Sequence, residues 1–144
     1  MLPFKAMANI FTYGSLMFDR VWTQVVKGCY ASQSATLHGH QRLAMRGEDY
    51  PAAIPASQHF SITGVLYLSV SSVDIKRLDD FEGEYYLRLP TPVTTANGHT
   101  RLAETYILKP SYRHIAEPFA WDEEHFRTYG IERFLTRYQG FHEV

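Results

Sequence analysis

A four-residue segment near the start of the chain has residue types that suit contact with a small molecule. Tyr13-Gly14-Ser15-Leu16 follows a β-rich run and precedes a helical pattern that Asp19 can cap. A loop that enters a helix presents unpaired backbone N–H groups, which bind carboxylates or a developing oxyanion. Gly14 would let a ligand approach the backbone closely. Taken alone, the pattern favours an ordinary strand–turn–helix connection, because short Gly-Ser turns are common.

One carboxylate, Glu82, is a candidate for proton transfer. It follows Ile75 by seven residues in a predicted helix, and this spacing places the two side chains on nearly the same face. A carboxylate in apolar surroundings has a raised pKa, which suits a general base near neutral pH. The alternative, which the pattern alone favours, is a solvated acid at a helix end that pairs with Arg88.

Three other reactive residue types give weaker signals. His38 and His40 would share one face of a strand, but no third ligand is near in sequence, so we predict surface histidines and no metal site. Ser15 is a weak candidate for a nucleophile, because it does not lie in a Gly-x-Ser-x-Gly elbow and no His and Asp partners can be identified for it. The single cysteine, Cys29, can form no internal disulfide, and we expect it to be a small buried side chain.

Length and composition limit the class of protein. The 144 residues suffice for one domain spanning 1–144, and 45% of them are hydrophobic against 20% charged, which argues against disorder. Residues 1–7 are predicted to be disordered or an additional N-terminus, because Met7 is a second possible start. The net charge of −1 disfavours a nucleic-acid or membrane-surface partner. No apolar run reaches the length of a membrane span, and the N-terminus is too short for a secretory signal, so we expect a cytoplasmic protein.

Hydrophobic periodicity and turn signals predict elements in the order β-α-β-β-α-β-β-α. The predicted strands cover residues 9–13, one or two segments within 32–46, then 61–70, 85–95 and 101–108. Three helices are predicted. The first begins at Asp19, the second covers residues 71–82 and the third covers residues 121–138. Residues 51–55 are expected to be extended or turn-like, and 110–118 a loop. Strands dominate and hairpins are present, which favours an α+β fold with a small mixed β-barrel or sheet and flanking helices.

The two motifs together resemble one family. Tyr13-Gly14-Ser15-Leu16 and Phe81-Glu82-Gly83-x-x-Tyr86-x-Arg88, in this order, are similar to motifs of the γ-glutamylcyclotransferase-like family. Further segments resemble its avirulence-induced plant branch: Leu37-His38-Gly39, Arg46-Gly47, Tyr50-Pro51-Ala52, Glu104-Thr105-Tyr106 and Trp121-Asp122-x-Glu124. The resemblance extends from Asn9 to Leu135, nearly the whole chain.

This resemblance implies a small barrel with flanking helices and a cavity beside the first motif. It implies that Glu82 accepts and donates the proton, and that a loop together with Tyr86 binds the substrate. The residues of that loop are Tyr13, Gly14, Ser15, Leu16, Met17 and Phe18. The implied reaction is attack by the α-amine of a γ-glutamyl amino acid, peptide or amine on its own γ-carbonyl, giving 5-oxoproline and a free amine. It needs no cofactor or metal, because the substrate supplies its own nucleophile.

A second function remains open at this point. The same cavity could bind a small carboxylated metabolite without converting it. Met17 and Phe18 stand where many family members carry small or polar residues, so the substrate is not specified. We expect a small-molecule ligand as the partner, and a monomer or a weak homodimer.

Overall fold

A computed structural model describes the backbone of residues 7–142 and the side chains up to residue 138. The predicted N-terminal extension, residues 1–7, lies outside the described residues apart from Met7. The strands are β1 Ala8–Thr12, β2 Ser32–His38, β3 His40–Met45, β4 Pro51–Pro55, β5 Ser61–Val70, β6 Tyr86–Thr95, β7 Thr100–Leu108 and β8 Ala116–Ala120. The helices are α1 Asp19–Val25, α2 Ser72–Glu82, α3 Glu123–His125 and α4 Ile131–His142. Short 3₁₀ helices cover Ser15–Met17, Gly83–Tyr85 and Pro110–Ile115, and a π-helical segment, Phe126–Gly130, joins α3 to α4.

Five strands form a closed barrel in the order β1-β5-β2-β6-β7. Neighbours pair antiparallel except where β1 meets β7 in parallel, at Ile10 and Glu104, and this contact closes the barrel. β5, with ten residues, pairs with both β1 and β2 and is therefore a central strand of the barrel. The predicted α+β fold with a small barrel and flanking helices is confirmed.

The strand that precedes the first motif contributes to two hydrophobic clusters. Ile10 belongs to the cluster that also holds Trp22 of α1 and Leu78 of α2, while Phe11 belongs to a second cluster with Leu66. Successive residues of a strand point to opposite faces, so β1 is buried on both sides. The end of β1 is thereby fixed, and so is the loop that follows it.

Two strands were absent from the sequence-based prediction. β4 and β8 flank β3 in a separate three-stranded sheet of order β4-β3-β8, where the sequence predicted an extended or turn-like piece and a loop. Both are edge strands, and an edge strand tolerates prolines because part of its hydrogen-bonding side is unpaired. Pro51, Pro55 and Pro118 therefore concealed strands that only the pairing with β3 reveals.

The helix ends agree with the sequence in part. Ser71 caps α2 by accepting a hydrogen bond from the backbone N–H of Asp74 at 3.2 Å, and Gly83 ends the helix with φ at 75°. Asp74, however, does not complete a capping box. Asp122 caps the last helical segment, accepting from the N–H of His125. Asp19 is wrong as a cap: it is the first residue of α1, and Phe18 occupies the cap position.

The expected burial of Cys29 and the expected shared strand face of His38 and His40 are also wrong. Cys29 is exposed rather than buried, because it lies in the connection between α1 and β2 and not in a core element. His38 and His40 do not share one strand. Gly39, with φ at 72°, separates β2 from β3, and the Nδ1 of His40 lies 3.0 Å from the carbonyl oxygen of His38.

Candidate active site

One cavity of about 770 Å³ brings the two sequence motifs together. Its wall includes Tyr13, Gly14, Ser15 and Leu16 from the loop after β1, and Glu82 and Tyr86 from the end of α2 and the start of β6. Other parts of the wall come from the end of α1, the start of β4 and α4. Residues that are far apart in sequence thus line one cavity.

The loop after β1 is held by close packing. The Cβ of any larger residue at Gly14 would lie 2.7 Å from Cδ of Pro51, so glycine is required by the neighbouring proline. The N–H of Met17 donates to the carbonyl of Gly14 at 3.0 Å and starts the short 3₁₀ helix. The N–H groups of Ser15 and Leu16 precede this first turn, where the helix itself supplies no acceptor. They are therefore candidates for contact with a ligand in the cavity.

Tyr13 anchors the loop through its polar atoms. Its hydroxyl donates to the carbonyl of Tyr106 at 2.6 Å and accepts from the N–H of Ala53 at 3.2 Å. Its own carbonyl accepts from Nη1 of Arg42 at 2.9 Å. Burial, and then the charge of Glu82, raise the pKa of Tyr13 well above its usual range, so the hydroxyl stays neutral. Tyr13 ties the loop to β7 and β4 and forms part of the cavity wall.

An aromatic wall faces this loop. Tyr86 is buried and donates its hydroxyl hydrogen to the carbonyl of Pro51 at 2.8 Å, which fixes the ring. Tyr50 contacts Tyr86 with a ring-centroid distance of 6.4 Å, and the ring of Phe134 contacts both Tyr50 and Phe81, at 6.3 and 5.8 Å. Sequence reasoning assigned no site role to Tyr50 or Phe134. The only signal was the high tyrosine content, which does not indicate which tyrosines face a cavity.

Glu82 is the last residue of α2 and is half-buried in the cavity wall. Its carboxylate forms no hydrogen bond or ion pair with any residue that the structure describes. Burial, and then the nearby charge of Asp79, raise the pKa of Glu82 to about 8. A carboxyl group with this pKa is mostly protonated at neutral pH and ionises in a small fraction of molecules, so it can both accept and donate a proton.

Arg88 does not pair with Glu82, so the interpretation of Glu82 as a paired surface acid is wrong. The Nε of Arg88 donates to Oδ1 of Asp79 at 2.9 Å, and its Nη1 donates to Glu104. The hydroxyl of Tyr106 also donates to Oδ1 of Asp79, at 2.7 Å. Asp79 is thus held as an anion beside Glu82, which leaves the Glu82 carboxyl group without a cationic partner.

Met17 and Phe18 were expected in the substrate loop, but neither belongs to the lining of this cavity. The ring of Phe18 packs on that of Phe126 at a centroid distance of 5.2 Å, and the guanidinium carbon of Arg127 lies 5.1 Å from its centroid. Met17 lines a separate concavity of about 600 Å³. Phe18 does not line the cavity because its large apolar side chain packs against the π-helical segment.

Charged side chains form part of the cavity lining that sequence reasoning missed. They are Lys27, Glu48, Arg77, Asp80 and Arg137. They come from four separate parts of the chain, and no local pattern distinguishes them from other surface charges. Only the fold brings them to one opening.

Two further properties concern the described residues, 7–142. No group of three or more His, Cys, Asp or Glu side chains among them is placed to hold a metal ion. No helix in this part of the chain is long and apolar enough to cross a membrane.

Residues 10–126 match the family model described as gamma-glutamyl cyclotransferase, AIG2-like. The chain belongs to this family. Protein AIG2 C of Arabidopsis thaliana is a relative, 27% identical over 134 residues, which cover 91% of this chain and 79% of the relative. These matches confirm the resemblance that the two motifs indicated.

Solved structures support the same fold for this AIG2-like chain. The solution structure of an Arabidopsis thaliana protein superposes with a TM-score of 0.69 at 24% identity, covering 99% of this chain and 86% of that one. A structure named gamma-glutamyl cyclotransferase has a TM-score of 0.64 at 14% identity and 76% coverage of both chains. At these identities, the likeness establishes the fold.

Proposed function

We propose that this protein is a γ-glutamyl cyclotransferase that releases 5-oxoproline from a γ-glutamyl compound. The observation that carries the proposal is that Glu82, with its raised pKa and no described partner, lines the same cavity as the loop Tyr13–Leu16. The family, and the name of a structural neighbour, agree with this chemistry.

The proposed reaction is internal to the substrate. The α-amine nitrogen attacks the γ-carbonyl carbon and forms the lactam C–N bond, and the original amide C–N bond breaks. Attacking and attacked groups are already tethered, so the protein has to fold the substrate rather than bring two molecules together. The aromatic wall of Tyr50, Phe81 and Tyr86 would exclude water and favour the folded conformer.

Glu82 would move the proton between the two nitrogens. Its ionised form accepts a proton from the α-ammonium group and so frees the attacking lone pair. The resulting carboxylic acid then protonates the departing nitrogen as the amide C–N bond breaks. The ring nitrogen still carries a second proton, which ionised Glu82 takes up and passes to the released amine, so the amine leaves as an ammonium ion and Glu82 returns to its ionised state. A pKa of about 8 suits both steps, because neither protonation state is strongly disfavoured near neutral pH.

The loop would stabilise the charge that develops on the γ-carbonyl oxygen. Ser15 and Leu16 line the cavity at the start of the 3₁₀ helix, where their N–H groups have no acceptor within the helix. Fixed backbone donors in a water-poor site are effective at this task, because they need no reorganisation during the reaction.

The test is the release of 5-oxoproline from a panel of γ-glutamyl amino acids, peptides and amines. We expect Glu82→Gln to reduce kcat/KM by at least about 100-fold, the usual contribution of a positioned acid–base group. In the wild type, kcat/KM should rise with pH as Glu82 ionises, with half of the increase reached near pH 8.

Glu84→Gln is the matched control. Glu84 lies two residues further on, is exposed, and bonds to the hydroxyl of Tyr112 outside the cavity lining. This variant should retain the wild-type rate. Equal background release by wild type and Glu82→Gln across the panel would refute the proposal, and saturable binding without product would favour a non-catalytic binding module.

A further inference from the structure

Two cationic residues, Lys27 and Arg77, both belong to the cavity lining. The backbone N–H of Lys27 donates to Oδ1 of Asp74 at 2.9 Å, and Nη1 of Arg77 donates to the same oxygen at 2.7 Å. Lys27 follows α1 and Arg77 lies in α2, so one carboxylate oxygen joins the two elements. Asp74 therefore holds the backbone of Lys27 close to the guanidinium group of Arg77.

Asp74 gives this arrangement its rigidity. The side chain is only 2% exposed and also accepts from the N–H of Gly28 and the hydroxyl of Tyr30. Burial alone would raise the pKa of Asp74, but the hydrogen bonds from Tyr30, Lys27, Gly28 and Arg77 lower it to about 2. Asp74 is therefore ionised at neutral pH, and it balances the charge of Arg77.

The acidic residues at the cavity opening already have partners. Glu48 pairs with Arg137 at 3.6 Å, and Asp80 pairs with Lys76 at 3.6 Å. The third acidic lining residue, Glu82, is mostly uncharged at neutral pH. The cavity thus offers no unpaired anion among its described residues to compete for a neighbouring cation.

Lys27 remains without a counter-charge. Its exposed ammonium group forms no ion pair or hydrogen bond within the described part of the chain, and it adds one net positive charge to the opening. Arg77 makes one side-chain hydrogen bond among the described residues, through Nη1, while a guanidinium group carries five N–H donors. Together, Lys27 and Arg77 can donate several charge-assisted hydrogen bonds to one carboxylate.

We propose that Lys27 and Arg77 bind a carboxylate on the leaving amine, so that the protein prefers γ-glutamyl amino acids and peptides to γ-glutamyl amines. This inference rests on the proposed function and adds the substrate class to it. The γ-glutamyl group occupies the deep part of the cavity, beside the buried Ser15 and Leu16. The leaving group then extends to the exposed edge, where Lys27 lies.

The experiment compares γ-glutamyl-L-alanine with γ-glutamyl-ethylamine, which differ only by the carboxylate of the leaving amine. We expect the wild type to favour the alanine compound in kcat/KM by about tenfold, the size of one charge-assisted hydrogen bond. The preference should arise mainly in KM, and it should shrink at high salt because exposed charges are screened. Lys27→Met should remove most of the preference, and Lys27→Glu should reverse it.

Lys109→Met is the matched control, because Lys109 directly precedes the 3₁₀ helix Pro110–Ile115 and does not line the cavity. It should keep the wild-type preference. Turnover of both compounds at equal efficiency by the wild type, or an undiminished preference in Lys27→Met, would overturn the inference and leave the proposed function standing. Calorimetric binding of both compounds to Glu82→Gln gives a readout without turnover. If the wild type released no product, tighter binding of the alanine compound would support the charge selection alone, and equal binding would overturn it.

Discussion

At the scale of single residues, the candidate site depends on Glu82, whose carboxyl group has no hydrogen-bond or ion-pair partner among the described residues. The neighbouring Asp79 is bound by Arg88 and Tyr106, so its negative charge is fixed close to Glu82. Burial and this charge both disfavour ionisation of Glu82 and raise its pKa to about 8. Ionisation of Glu82 therefore costs free energy in the folded state, and this cost makes the stability of the protein depend on pH.

The stability of the wild type relative to Glu82→Gln should fall as pH rises. Below pH 4.5, Glu82 is protonated in both the folded and the unfolded state. Between the ordinary pKa of 4.5 and about 8, only the unfolded state ionises, so the folded state loses relative stability. We expect a change in the stability difference on the order of 5 kcal/mol between pH 4 and pH 9, because the pKa rises from 4.5 to about 8 and each pKa unit corresponds to about 1.4 kcal/mol.

Urea unfolding of both proteins across this pH range measures the effect, with fluorescence of Trp22 and Trp121 as the signal. The glutamine variant lacks the ionisable group and serves as the reference, and Glu84→Gln controls for the loss of an exposed glutamate. A stability difference between wild type and Glu82→Gln that is constant with pH would contradict the raised pKa of Glu82.

At the scale of elements, the site depends on how closely β1 approaches β5. A Cβ at Gly64 of β5 would lie 2.1 Å from the carbonyl oxygen of Thr12 and 2.8 Å from Cζ of Phe11. The pairing of Gly64 with Ala35 of β2 is regular, so the glycine does not mark a bulge between these strands. The glycine instead allows the end of β1 to pack against β5, just before the loop that begins at Tyr13.

Gly64→Ala should destabilise the fold by about 3 kcal/mol, because the added methyl group overlaps backbone that cannot move without opening the barrel. Urea unfolding measures this loss. Thr63→Ala, on the exposed face of the same strand, is the control and should cost less than about 1 kcal/mol. A Gly64→Ala protein as stable as the control would mean that β1 and β5 can separate locally without loss of the fold.

At the scale of the whole molecule, the cavity is assembled from parts that are distant in the chain. The loop after β1, the start of β4, the end of α2 and α4 each supply one side. α4 packs its Phe134 against Tyr50, Phe81 and Phe126. The C-terminal helix is thus both a packing element and a wall of the candidate site.

Phe134→Ala should therefore reduce stability and widen the cavity together. The side chain is half-buried, so we expect a loss of about 2 kcal/mol, below the range for a fully buried phenylalanine. Thermal or urea unfolding measures the stability, and KM for a γ-glutamyl compound should rise. Tyr129→Ala is the control: its ring is 64% exposed, and the change should stay within about 0.5 kcal/mol. Unchanged stability in Phe134→Ala would show that α4 does not depend on this contact.

Local patterns in the sequence were sufficient for the features that depend on neighbouring residues. The cap at Ser71, the end of α2 at Gly83 and the strand β5 follow from turn chemistry and periodicity. The two motifs identified the family and named Glu82 and Tyr13–Leu16, which the structure places in one cavity.

Tertiary structure decided what depends on contacts between distant residues. β4 and β8 exist as strands because β3 pairs with them, although their prolines argue locally for loops. Phe18 lies outside the cavity lining because its ring packs on Phe126, from the far end of the chain. The sequence determined that Glu82 follows an apolar helix face. Only the fold set its pKa, because burial and the charge of Asp79 act through space.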